Sequence, residues 1–310
     1  SVSTYKSQRR GGRGVQGQTA REEDFTEHLF VENTHSYILF FTDKGKCYWV
    51  KVYDIPEGGR AAKGRAIVNL IGCEPDEKVS AFIGVKQGQF HDDHFVVMAT
   101  EKGIVKKTKL SAYSNPRKKG IYAVEIREGD SLIEARVSSG ENDILLGTSN
   151  GKSIRFSEEQ IRPSGRKTMG VKGITLSSKD DKVVGMLLIK REGTVLVATE
   201  NGFGKRTEII QYRAQKRGGK GVLTMKTTDK IGKMITIKEV VGTDDLMIIR
   251  DDGVLIRMPV SQIRSIGRAT QGVKLIKLAE GTKVSAITRI ISEEESKPNE
   301  PKDTPEPEEG

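Results

Sequence analysis

Short, nearly continuous apolar blocks recur along the chain, each ending in a polar turn and a glycine. There are five: Tyr37 to Gly45, Phe95 to Gly103, Ile144 to Gly151, Val195 to Gly202 and Leu246 to Gly253. The turn glycines lie 58, 48, 51 and 51 residues apart. Asn150-Gly151, Asn201-Gly202 and Asp252-Gly253 are pairs that accept positive φ in a two-residue hairpin turn, and Lys44-Gly45 and Lys102-Gly103 take the same place. Each repeat is therefore predicted to contain a β-hairpin. The strand before the turn, such as Ile38-Leu39-Phe40-Phe41 or Val195-Leu196-Val197-Ala198, does not alternate, so both of its faces should be covered. Radially stacked blades supply that cover.

A second glycine follows a basic stretch six times: Gly14, Gly64, Gly120, Gly170, Gly221 and Gly272, spaced 50, 56, 50, 51 and 51 residues apart. A fixed period near 50 sets the architecture. Residues 1–292 hold nearly six units but only five turn glycines, so the expectation is an all-β ring of six blades with a split sixth. Residues 1–27 would supply its loop and later strands, and the stretch near Ala286 to Ile291 another strand, closing the ring by pairing and removing sheet edges. The long first turn-to-turn spacing predicts about seven extra surface residues near Lys86 to Asp93.

Charge sharpens the division of the chain. Of 310 residues, 52 are Lys or Arg and 42 Asp or Glu, a net of +10. Residues 293–310 carry eight acids against Lys297 and Lys302, a local −6, which leaves +16 on residues 1–292. That tail has four prolines and no large apolar residue, and it is expected to be a disordered acidic tail. No apolar run nears the ~18–20 residues of a membrane crossing. Cys47 and Cys73 have neither a disulfide nor a metal pattern, which fits a reducing cytoplasm. The Ser1-Val2-Ser3 start suggests an internal piece of a longer protein.

The bases fall in register. The loops before the second glycine carry Arg9, Arg10 and Arg13; Arg60 and Lys63; Arg117, Lys118 and Lys119; Arg162, Arg166 and Lys167; Arg213, Lys216, Arg217 and Lys220; and Arg264 and Arg268. Repeat symmetry puts all six loops on one rim. A further base stands four residues after the turn glycine in four repeats (Lys107, Arg155, Arg206, Arg257), with Trp49 in the first. One basic loop is an ordinary solvated surface, but six in register make a path for a polyanion, and duplex DNA offers a charge every ~1.7 Å of axis. Bending a duplex around such a rim costs about 1–6 kcal/mol per 20–30 bp, offset by phosphate contacts that position without reading bases. Gln8-Arg9-Arg10-Gly11-Gly12-Arg13-Gly14 is the sharpest signal, because glycine lets backbone N–H groups and guanidinium groups approach phosphate closely. Gln215 to Gly221 echoes it at the same repeat position.

Gln8 to Gly14 resembles the gyrase box, and the ~50-residue repeats over residues 1–292 resemble the C-terminal domain of the DNA gyrase A subunit. The resemblance implies a six-bladed β-pinwheel that wraps double-stranded DNA, with the box (Gln8, Arg9, Arg10, Gly11, Gly12, Arg13, Gly14) needed for wrapping. It implies work beside the remainder of the A subunit, together with the B subunit, in an A2B2 assembly in the bacterial cytoplasm at the nucleoid. ATP and Mg2+ would be used elsewhere in that holoenzyme, with no cofactor in this domain. Acidic tails in some members modulate wrapping, so residues 293–310 would compete with DNA for the rim.

Other chemistry does not survive inspection. Gly147 to Ser153 has three residues where a phosphate-binding P-loop needs four, and it lies on a hairpin turn. His91-Asp92-Asp93-His94 reads as a solvated loop in the insertion. No tyrosine has the setting of a DNA-attacking residue, and Trp49 and Phe90 read as core. The alternatives are a topoisomerase IV-type domain that selects DNA geometry, against which the intact box speaks, and a protein-interaction propeller, which needs no cations in register.

Overall fold

A computed structural model describes residues 15–16, 33–57, 66–86, 88–115, 117, 119–190 and 193–290. The box at Gln8 to Gly14, Arg60, Lys63, Lys118 and the acidic tail lie outside the described residues. After β1 (Val15–Gln16) the repeats follow one another. They comprise β2 (Ser36–Thr42), β3 (Lys46–Lys51) and β4 (Val79–Lys86); β5 (Phe95–Thr100), β6 (Ile104–Lys109), β7 (Ile121–Tyr122) and β8 (Leu132–Ser138); β9 (Asp143–Thr148), β10 (Lys152–Ser157), β11 (Val171–Lys172) and β12 (Val183–Ile189); β13 (Thr194–Thr199), β14 (Phe203–Glu208), β15 (Val222–Leu223) and β16 (Met234–Val240); and β17 (Asp245–Arg250), β18 (Val254–Pro259), β19 (Val273–Lys274) and β20 (Val284–Ile290).

These form five four-stranded antiparallel sheets, each built on one hairpin. The long strand that ends a repeat flanks the first hairpin strand, and the two-residue strand is exchanged: β7 pairs with β3, β11 with β6, β15 with β10 and β19 with β14, each on the sheet of the preceding repeat. β4, β8, β12, β16 and β20 neighbour one another in that order, giving a propeller-like ring with the exchanged strands on its outer edge. β1 joins the fifth sheet, Val15 opposite Leu255 and Gln16 opposite Val254. The N-terminal strand thus pairs with the last repeat, but it and Val284–Ile290 both belong to the fifth sheet and not to a separate sixth blade. The described residues carry five blades.

The unbroken apolar blocks have a direct explanation. Successive residues of a hairpin strand point to opposite faces, and each face packs on a different neighbour. Val97 and Ala99 join Ile144 and Leu146, Leu145 joins Val195 and Val197, and Leu196 and Ala198 join Leu246 and Ile248. Burying each valine, leucine or isoleucine among them contributes roughly 1.5–3 kcal/mol. Trp49 and Phe90 pack with Tyr37 at the edge of the first interblade core, with ring centroids 4.6 Å (Trp49 to Tyr37) and 6.0 Å (Trp49 to Phe90) apart.

The turns differ from expectation. Gly151 N–H donates to Thr148 O at 2.9 Å, and Ser153 pairs with Gly147, so three residues form the loop. Only the glycine has positive φ (+78° at Gly151), and Asn150 does not. This is a three-residue turn closing on a left-handed glycine. The insertion is also smaller: eight residues separate β4 from β5 where four separate the corresponding strands, and the rest of the extra length lies elsewhere in the first repeat. Within it, Asp92 is taken by Lys109 and Ser111.

Candidate nucleic-acid interface

After its hairpin each of the second to fifth repeats makes a short 3-10 turn (Leu110–Tyr113, Glu158–Gln160, Ile209–Gln211, Val260–Gln262) and crosses to the outer edge of the preceding sheet. The crossing needs glycine. Gly170 has φ +89° and a Cβ there would lie 2.5 Å from Val105 O; at Gly272 it would lie 2.6 Å from Gly204 O. The described loops therefore lie flush on the outer strands of successive sheets.

The structure splits the predicted bases into two groups. Arg166, Arg217 and Arg268, each four residues before the loop glycine, reach back to the preceding exchanged strand. Arg166 Nη1 donates to Tyr122 O (3.2 Å), Arg217 Nη1 to Lys172 O (3.1 Å) and Arg268 Nη1 to Leu223 O (2.9 Å). These guanidinium groups occupy carbonyls on the outer sheet edge and staple one loop to the next. Arg117, Lys119, Arg162, Lys167, Arg213, Lys216, Lys220 and Arg264 are exposed, and their side chains make no hydrogen bond or ion pair to any described residue. Lys172 and Lys274, on the exchanged strands themselves, are exposed as well and went unpredicted.

The bases four residues after the turn glycine stand at one position of the second hairpin strand in each blade, as the repeat predicts, and Lys107, Arg155 and Arg206 clamp the neighbouring blade. Lys107 Nζ donates to Glu158 O (3.0 Å), Arg155 Nη1 to Ile209 O and Tyr212 O (3.3 and 3.2 Å), and Arg206 Nε to Ile263 O (2.7 Å), all at the 3-10 turn of the next repeat. Arg155 and Arg257 also pair with Asp143 and Asp245 at the hairpin start, both at 2.7 Å. A carbonyl at the end of a turn has no partner of its own, and a guanidinium fork meets several at once.

Sequence reasoning missed two buried cations. Lys106 Nζ donates to Ala123 O (2.7 Å) and Arg166 O (2.6 Å); Lys205 Nζ donates to Gly267 O (2.7 Å), to Arg268 O and to Thr270 Oγ1 (3.0 Å). Burial, with the adjacent guanidinium of Arg166 or Arg268, lowers these amines to about 7 and about 8. The available signal was their position: three residues after the turn glycine, where Tyr48, Ile154 and Ile256 stand in the other repeats.

The arrangement can hold a polyanion around the rim through phosphate contacts; among the described residues it offers no shaped pocket of converging base-reading groups. It defines a class: an all-β propeller-like ring of strand-exchanged repeats with a cationic perimeter. A family model for the "DNA gyrase C-terminal domain, beta-propeller" matches residues 1–31, 36–84, 94–139, 142–190, 193–240 and 244–290. The chain belongs to this family. It is 46% identical over 301 residues to the DNA gyrase A subunit of Staphylococcus aureus (strain NCTC 8325 / PS 47), covering 96% of this chain and 34% of that protein. It is 45% identical over 297 residues to that of Staphylococcus epidermidis, covering 95% and 33%. The chain thus spans about a third of these relatives. Among solved structures, a DNA gyrase A C-terminal domain superposes with a TM-score of 0.83 at 22% identity, covering 94% of each chain. The C-terminal domain of a DNA topoisomerase IV gives 0.75 at 24% identity, covering 84% of this chain and 81% of that one.

Proposed function

We propose that the chain is a non-catalytic module that wraps double-stranded DNA around its outer rim and so lets a gyrase introduce negative supercoils at the expense of ATP. The carrying observation is the set of exposed bases at matching loop positions (Arg162, Arg213 and Arg264; Lys119 and Lys220) that make no hydrogen bond or ion pair to any described residue, on a rim where Arg166, Arg217 and Arg268 staple three of the loops down. The partners are the remainder of the A subunit together with the B subunit, where ATP and Mg2+ act. In repeat register Arg9 and Arg13 of the Gln8 to Gly14 box correspond to the free Lys216 and Lys220, and Arg10 to the stapling arginines.

A ring of six blades, with residues 1–292 as one domain, is part of the same proposal. The family model matches residues 1–31 as a further unit. The outward faces of the two end sheets, Ile38 and Phe40 on one and Met247 and Ile249 on the other, are buried. Residues 293–310 would compete with DNA for the rim, and deleting them should tighten binding at low salt; unchanged affinity rejects that competition.

Ligation of nicked plasmid with the protein bound tests the central claim. Wrapping gives a positive linking-number change per bound molecule, lost when Arg9, Arg13, Lys216 and Lys220 become Ala. No shift at saturation means the protein merely coats DNA.

A further inference from the structure

Two apolar side chains interrupt the cationic rim at one repeat position. Tyr122 and Leu223 are 53% and 39% exposed, and each is the second residue of an exchanged strand, where Lys172 and Lys274 stand in the third and fifth repeats. Their strand partners Ile121 and Val222 turn into interblade cores, so Tyr122 and Leu223 point outward. A single exposed leucine or tyrosine is ordinary on any surface. These two are distinguished by how they are held.

Tyr122 O accepts from Arg166, while the next carbonyl, Ala123 O, accepts from buried Lys106. Leu223 O accepts from Arg268, whose own carbonyl is held by buried Lys205. The lysine pins occur in the second and fourth repeats, the repeats that carry the apolar residues; Ile154 and Ile256 replace them in the third and fifth. Free cations flank both positions: Lys119 and Lys220 stand three residues earlier, and Lys167 Nζ lies 5.6 Å from the Tyr122 ring centre. Alternate junctions of the rim thus present a rigid apolar knob among unpaired bases, and the others present a lysine.

We propose that Tyr122 and Leu223 are wedges that press into the minor groove of the duplex on the rim and concentrate its bend at two base steps. This rests on the wrapping proposed above. Apolar side chains inserted between base steps unstack them and kink the duplex, and neighbouring bases neutralise the phosphates drawn together on the inside of the bend. Pyrimidine–purine steps unstack most easily, so the wedges should place the rim on TA and CA steps in preference to A-tracts. That supplies a weak sequence preference with no hydrogen bond to a base.

Permanganate, which oxidises unstacked thymines, reads the effect directly on plasmid and on duplexes with phased TA steps. The protein should produce two reactive positions per bound molecule. Tyr122→Ala should lose one and Leu223→Ala the other, Tyr122→Phe should keep both, and the salt dependence of binding should be unchanged because no phosphate contact is removed. Circular dichroism melts check that each variant folds. Uniformly unreactive thymines on DNA that still shows the linking-number shift would overturn the wedges while leaving wrapping intact. Absence of that shift in the unaltered protein would instead end the wrapping proposal. If Tyr122→Ala and Leu223→Ala leave DNA reactivity unchanged but weaken association with the rest of the gyrase subunit, the knobs are protein contacts and the wedge proposal fails.

Discussion

The junction between the second and third sheets and that between the third and fourth solve one problem with different chemistry. At both, a basic loop must lie against the outer edge of the preceding sheet, and an arginine donates to a carbonyl of the exchanged strand (Arg166 to Tyr122, Arg217 to Lys172). At the first, a buried lysine amine also holds the loop from beneath, through Ala123 O and Arg166 O. At the second, Ile154 fills that position and Arg155 grips the incoming turn at Ile209 O and Tyr212 O. A lysine in a strand is therefore no sign of a free surface cation in this fold. What a cation does depends on whether a backbone carbonyl of the next repeat lies within its reach.

The sharpest way to break the comparison is to remove a pin. Lys205→Ala removes three hydrogen bonds from a charged donor (to Gly267 O, Arg268 O and Thr270 Oγ1) and opens a cavity, and it should cost about 3 kcal/mol in urea unfolding, given about 1.5–3 kcal/mol for a hydrogen bond to a charged group. Lys106→Ile, which imports the third-repeat solution, fills the space and should cost clearly less than Lys106→Ala. Equal losses would mean that the carbonyls, not the volume, set the energy. Arg155→Ala comes next, at about 2 kcal/mol for a guanidinium with three partners.

Junctions with a buried lysine should also respond to pH differently from those without one. The folded-state values of about 7 for Lys106 and about 8 for Lys205 lie below the ordinary 10.5, so between those values the unfolded chain binds more protons than the folded one. The cost of burying these charges is fully present below pH 7 and is relieved as pH rises towards 10.5, so stability should climb across that window. Denaturant titrations at about pH 7, 8 and 9 should show a slope that flattens in Lys106→Met with Lys205→Met. A slope unchanged in the double variant would place its origin elsewhere. The smallest stability effects are expected on the rim. Lys216→Ala and Lys220→Ala should alter unfolding by less than ~0.5 kcal/mol, yet each should reduce the slope of log K against log salt by about 1.

Much of this was legible before any coordinates. The period near 50, the paired glycines and the two-sided apolar blocks are consequences of stacking identical sheets, so they print directly into the chain. Strand exchange was implied by the family resemblance but was not legible in the periodicity itself, because Val171–Lys172 looks the same whether it pairs with its own hairpin or with Ile104 and Val105 of the preceding one. The roles of the bases were half legible. Loop position marked the rim, but the reach that turns Arg166, Arg217 and Arg268 inward depends on the carbonyl opposite, which no local pattern records. Asn150-Gly151 misled in detail, since a left-handed glycine serves a three-residue loop as readily as a two-residue one.

Because each sheet borrows its outermost strand from its successor, no repeat is a self-sufficient part. Excising one unit strips its predecessor's border and leaves amide and carbonyl groups that invite a second molecule to dock there. Lineages that gain or lose repeats must do so with an intact donor at the seam, which makes the interlocked perimeter a constraint on inheritance as well as on shape.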